Sequence, residues 1–125
     1  MDKKSIAAQL YTVGDYCNTP DEIFDTLKKV KAIGYDVVQV SGLGPVEPLR
    51  LKEMVDTVGL KICATHTAYE RLLRDIDTVI AEHRLWDCEC IGLGIMPEKF
   101  RNSGREGYLR FIAEISGSVK RISQN

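Results

Sequence analysis

The sequence predicts an α/β protein in which four strand-then-helix units follow one another and share a parallel sheet. Two observations carry that prediction. Four short apolar runs recur along the chain, and each is followed by turn residues and then by apolar side chains at helical spacing. The runs are brief and rich in branched residues, as strands covered on both faces are.

Taken in order, Ser5 to Tyr11 reads as the first strand, apolar apart from Gln9. Thr19-Pro20-Asp21-Glu22 then opens a helix with a capping threonine, a proline at the first helical position and a glutamate three residues after the cap. Ile23, Phe24, Leu27, Val30 and Ile33 give that helix an apolar face, and Gly34 ends it. Asp36 to Ser41 is the second strand. The loop after it, Gly42-Leu43-Gly44-Pro45, lacks the third glycine of a dinucleotide fingerprint and the Lys-Ser/Thr of a P-loop, so turn chemistry explains it better. Leu51, Met54, Val55 and Val58 mark the core stripe of a second helix.

The third strand, Leu60 to Thr67, ends in His66. A helix from Tyr69 to Trp86 follows, with Ile76, Val79, Ile80 and His83 on one face, which makes His83 a packing or helix-end residue. Cys90 to Ile95 is the fourth strand, its Gly92 and Gly94 permitting close approach of a neighbour or a ligand. Ser103-Gly104-Arg105-Glu106 reads as a second capping box. It leads a long helix whose stripe includes Tyr108, Phe111, Ile112, Ile115, Val119 and Ile122.

His66 is the candidate catalytic residue, because α/β enzymes keep their chemistry outside the carboxyl ends of parallel strands. Composition bounds what it could serve. A chain of 125 residues makes one domain, spanning 1–125, and 44% hydrophobic with 28% charged residues allows a real core. Seventeen basic against eighteen acidic side chains give a formal charge of -1, without the basic stripe that nucleic acid or anionic lipid requires. A small neutral or modestly charged ligand fits better. The start, Met1-Asp2-Lys3-Lys4, precedes an apolar run too brief and mixed for a signal peptide, so a cytoplasmic protein is expected.

Cys17, Cys63, Cys88 and Cys90 contain no CxxC pair and read as free thiols. Cys63 is expected to be buried. It stands three residues before His66, so on a regular strand the two point to opposite faces and cannot share a metal ion.

A right-handed βα series fits either a doubly wound sheet or one wall of a (β/α)₈ barrel. Four segments favour the barrel: Ala8-Gln9-Leu10-Tyr11-Thr12-Val13, Ala32 to Val40, Gly59 to His66, and Ile91-Gly92-Leu93-Gly94. In order and spacing they resemble the N-terminal half of the sugar phosphate isomerase/epimerase family, the xylose isomerase-like barrels. The resemblance implies half of a (β/α)₈ barrel, since such barrels run to about 250 residues. It implies a parent enzyme that isomerises or epimerises a sugar or sugar phosphate with a divalent metal (Mn, Mg or Zn) held on later strands. It therefore implies no metal ligand and no activity in these 125 residues.

What transfers to this chain is a rim of substrate-binding residues: Gln9 and Tyr11, then Gln39 and Ser41, then His66 as a donor that orients or polarises a substrate oxygen. Gly14 replaces a basic residue expected in relatives, and Gly94-Ile95-Met96 stands where the related endonucleases carry a metal-binding histidine. Two further expectations compete with or follow from this reading. The chain could instead be a non-catalytic half-barrel serving binding or assembly. A half-barrel also leaves two sheet edges unpaired and an apolar inner face, thought to include Ile62, Ala64 and Val38 or Val40, so a homodimer or other self-association is expected.

Overall fold

The computed structural model describes residues 6–125, so Ser5, counted in the expected first strand, lies outside the described residues. Four parallel strands form one sheet in the order β1-β2-β3-β4: β1 (Ala7–Gln9), β2 (Val37–Val40), β3 (Lys61–His66) and β4 (Ile91–Gly92). The helices are α1 (Pro20–Ile33), α2 (Pro48–Val58), α3 (Tyr69–Arg74), α4 (Ile76–Leu85), the single turn α5 (Glu98–Arg101) and α6 (Gly104–Ser123). Strand order decides between the two architectures. A doubly wound sheet reverses direction at a switch point, whereas right-handed crossovers between sequential neighbours put every helix on the same face. The helices pack accordingly, α1 on α2, α2 on α4 and α4 on α6. The fold is α/β with four parallel βα units in the winding of half a barrel.

Local chemistry explains most boundaries. Thr19 caps α1 as expected: its hydroxyl accepts from the Glu22 amide at 3.3 Å, while the Glu22 carboxylate accepts from the Thr19 and Asn18 amides at 3.3 and 2.8 Å. Gly34 and Gly59 end α1 and α2 with φ of 116° and 82°, a left-handed conformation that favours glycine. The core lies between sheet and helices, where Val38 and Ile62 meet Ile23, Leu27, Leu51 and Val55.

The structure corrects several boundaries. Beyond Gln9 the chain winds into 3₁₀ geometry over Leu10–Tyr16, which takes Tyr11 out of the strand. The expected helix from Tyr69 to Trp86 breaks at Asp75, whose φ of -135° and ψ of 32° separate α3 from α4. Arg71 bridges that break with a forked pair to Glu82, at 3.1 and 3.0 Å. Only Ile91 and Gly92 of the expected Cys90 to Ile95 strand pair with β3. The second capping box does not form, because the Ser103 hydroxyl donates back to the Lys99 carbonyl at 3.2 Å, extending the turn of α5. Ile33, placed on the apolar face of α1, is exposed at its C-terminal end.

The register of β3 reverses two expectations. Val38 pairs with Ile62, but the next residue, Gln39, pairs with Ala64, so Cys63 is an extra residue without a partner in β2. Such a bulge exchanges the faces to which the following side chains point. Cys63 is therefore exposed and not buried, and it shares the open face with His66 although the two are three apart. Val38 and Ile62, expected to point inward, face the helices at 0% and 4% exposure. The open face instead carries Ala7, Gln9, Val37, Gln39, Lys61, Cys63, Ala64 and His66, so it mixes apolar with polar side chains.

Candidate functional site

The carboxyl ends of β1, β2 and β3 bring the residues picked out by the sequence to one edge. Gln9 and Gln39 are register partners on adjacent strands, and Ala64 continues their row on β3. His66 stands one position past that row's next neighbour and pairs with Gly92 of β4. Both Gln9 and His66 are exposed, and Gln39 is half-buried.

Two glycines set the pose of His66. A Cβ at Gly94 would lie 2.9 Å from the imidazole Nδ1 and 3.1 Å from Cγ, and one at Gly92 would collide with the Thr65 carbonyl while standing 3.4 Å from Cδ2. The ring therefore lies over bare β4 backbone. That is the close approach the glycines of the fourth strand suggested.

Ser41 sits differently from its rim neighbours. It is 4% exposed; its hydroxyl donates to Gln39 Oε1 at 2.7 Å and accepts from the Tyr11 amide at 3.3 Å. With donor and acceptor both engaged, it orients Gln39 and ties the 3₁₀ segment to β2. Tyr11 leans over Gly42, where an added Cβ would come within 3.0 Å of Cδ2. Its side chain is 69% exposed and lines a separate recess with Thr12, Gly14 and Asp15. Gln9, Gln39 and His66 thus share the open face, while Ser41 supports it from below and Tyr11 flanks it.

Behind β3 lies a polar network that the sequence reading did not assemble. The ring of His83 is 4% exposed, with Nδ1 2.7 Å from the Val79 carbonyl and Nε2 2.7 Å from Thr65 Oγ1. Thr65 Oγ1 is in turn 3.2 Å from Thr67 Oγ1. Burial, only partly opposed by the Val79 hydrogen bond, holds the imidazole below its ordinary pKa and keeps it neutral. The available signal was the pair of threonines bracketing His66, which only the bulge turns toward the helices.

A cavity of about 350 Å³ opens at this edge, between the loop after β2 and the start of α3, lined among others by Ser41, Thr65, His66, Thr67, Arg71 and Trp86. A larger one of about 770 Å³ lies toward the amino ends of the strands, where Lys52 is held by Asp56 and Asp87 at 3.2 and 2.9 Å. Chemistry favours the smaller, because it includes His66 and the carboxyl ends of β2 and β3, although Gln9 and Gln39 lie outside its lining. Burial pushes the Cys17 and Cys88 thiols up, away from nucleophilic thiolate. Among the described residues no three of His, Cys, Asp and Glu converge as metal ligands. No helix among the described residues is long and apolar enough to cross a membrane.

No protein-family model and no curated protein sequence matches this chain. A solved structure does: the sugar phosphate isomerase/epimerase from Parabacteroides distasonis superposes on 96% of this chain with a TM-score of 0.67 and 19% sequence identity. The match covers 51% of that protein, so the chain spans about half its length. At that identity the likeness is one of fold, and the fold it supports is the half-barrel that the strand order describes.

Proposed function

We propose that this chain forms the N-terminal four βα units of a sugar or sugar phosphate isomerase or epimerase, supplying a substrate-binding rim without the catalytic carboxylates. One observation carries the reading: Gln9, Gln39 and His66 come from three consecutive strands onto one open face at their carboxyl ends, above a fold shared with a sugar phosphate isomerase/epimerase. Amide and imidazole groups suit hydroxyls and carbonyl oxygens, because each offers donors and acceptors without a fixed charge. On this reading His66 donates to a substrate oxygen, and Gln39, oriented by Ser41, fixes a neighbouring hydroxyl. Isomerisation also needs a group that moves a carbon-bound proton, together with electrophilic stabilisation of the oxyanion. In the proposed parent a divalent metal and carboxylates on later strands supply both, and the 125-residue chain by itself turns over no sugar.

Titration of the ¹⁵N-labelled chain with a pentose, a hexose and their phosphates, followed by NMR, tests this. Shifts confined to Gln9, Gln39, His66 and their neighbours support the rim, and Gln39→Leu abolishes them. Shifts scattered over the surface, or none at tens of millimolar sugar, sink the reading in favour of a non-catalytic assembly module.

A further inference from the structure

We propose that His83, buried behind β3 at the wall of the cavity that also holds His66, is a positioning residue for His66, acting through a one-way hydrogen-bond relay inside β3. The inference rests on the reading of His66 as the substrate-facing group. The relay itself rests on geometry alone.

The proton arrangement follows from the partners. The Val79 carbonyl can only accept, so the Nδ1 beside it, at 2.7 Å, carries the ring hydrogen. In the neutral ring Nε2 is then an acceptor, and Thr65 Oγ1 at 2.7 Å must donate to it. That spends the one hydroxyl proton of Thr65. Across the 3.2 Å contact, Thr67 must therefore be the donor and Thr65 the acceptor. Every hydrogen is assigned and no rotamer of either hydroxyl is left degenerate.

The two threonines are the residues on either side of His66. Their side chains are anchored behind the sheet by the relay, and their amides are anchored beside it, Thr65 N donating to the Cys90 carbonyl at 3.2 Å and Thr67 N to the Gly92 carbonyl at 2.7 Å. The residues on both sides of His66 are thereby held by side chain and by amide, the Thr67 bond fixing the peptide that follows His66 and the Thr65 bond the peptide one residue before it, which sets the origin and bearing of its side chain over Gly92 and Gly94. Val, Val and Leu would fill the same space without polar atoms to satisfy. A fully paired polar chain instead selects one arrangement of the strand tip over its near neighbours. The bulge at Cys63 is what makes the relay possible, since it turns Thr65 and Thr67 inward and His66 outward.

The test is NMR of the 125-residue chain with labelled histidine. Long-range ¹H–¹⁵N spectra at pH 7.5 are expected to show His83 as the neutral Nδ1–H tautomer; an Nε2–H tautomer would overturn the proposal without any variant being made. Thr65→Val removes the relay hydroxyl at constant shape and is expected to move the His66 ring resonances, with Thr65→Ser restoring them. Leu27→Ala, a cavity variant in the core against α1 and outside the relay, destabilises the fold yet leaves the His66 resonances in place. Unmoved His66 signals in Thr65→Val, or equal movement in Leu27→Ala, refute positioning. Should Thr65→Val fail to fold, Thr67→Val carries the same comparison. Failure of sugars to shift His66 in the wild-type chain would count against the proposed function only, leaving the relay result intact.

Discussion

At the scale of single residues, the site depends on space as much as on functional groups. Replacing Gly94 by alanine puts a Cβ 2.9 Å from His66 Nδ1, so the ring must swing off β4. Gly94→Ala is expected to change the His66 NMR signals and weaken sugar binding at least several-fold while leaving the melting temperature nearly unaltered; an undisturbed ring would contradict the packing described. His83 gives a pH dependence whose sign is fixed. Its pKa lies at the ordinary 6.5 when unfolded and lower when folded, so the unfolded chain takes up the proton first. Stability therefore falls as pH drops from 7 through 6.5 and continues to fall toward the folded value. Thermal melts between pH 7.5 and 5.5 should show a steeper decline for the wild type than for His83→Gln, and parallel curves would argue against a neutral buried His83. His66 was legible as a strand-end histidine because periodicity and turn signals place it there. The partners of Ser41, Thr65 and Thr67 were not, because they depend on which way each strand residue faces.

Elements were legible where chemistry is local and misread where register or tertiary contact decides. The Thr19 box and the Gly34 stop of α1 involve neighbours within a few residues, and both formed as expected. Thr19→Ala should cost about 1 kcal/mol in a urea unfolding experiment. The second box shared its spelling but lost Ser103 to the preceding turn. No pattern in Lys-Ile-Cys-Ala-Thr-His announces that Cys63 is supernumerary, since the bulge exists only against the register of β2. In α6 the expected stripe is half used: Phe111, Ile115 and Ile122 are half-buried, whereas Tyr108, Ile112 and Val119 are more than 50% exposed, joined there by Leu109. Gly117 lies in that helix with open space around it. Gly117→Ala should accordingly stabilise the protein by about 0.5–1 kcal/mol, readable as a raised melting temperature.

For the whole molecule, the sequential strand order separates a barrel-type winding from a doubly wound sheet, and the four-motif resemblance anticipated it. The expectation of self-association now has a different footing. The open sheet face is mixed, so we attribute the expected association to the exposed apolar side chains on α6 and to the outer edges of β1 and β4. Each Å² of apolar surface withdrawn from water contributes about 25 cal/mol. Light scattering on the 125-residue chain at high micromolar concentration should report a mass above 14.0 kDa, and Ile112→Lys with Val119→Lys should return it to that value. A monomer in the unaltered chain would remove this expectation. The open face has one more consequence, and it is dielectric. Gln9 and His66 now act where water competes for every contact, and two unit charges 4 Å apart in bulk water interact by only about 1 kcal/mol. Covering that face lowers the effective dielectric constant to about 20 and raises the same interaction to about 4 kcal/mol. The same side chains in the same positions would then bind polar ligands weakly when solvated and tightly when enclosed.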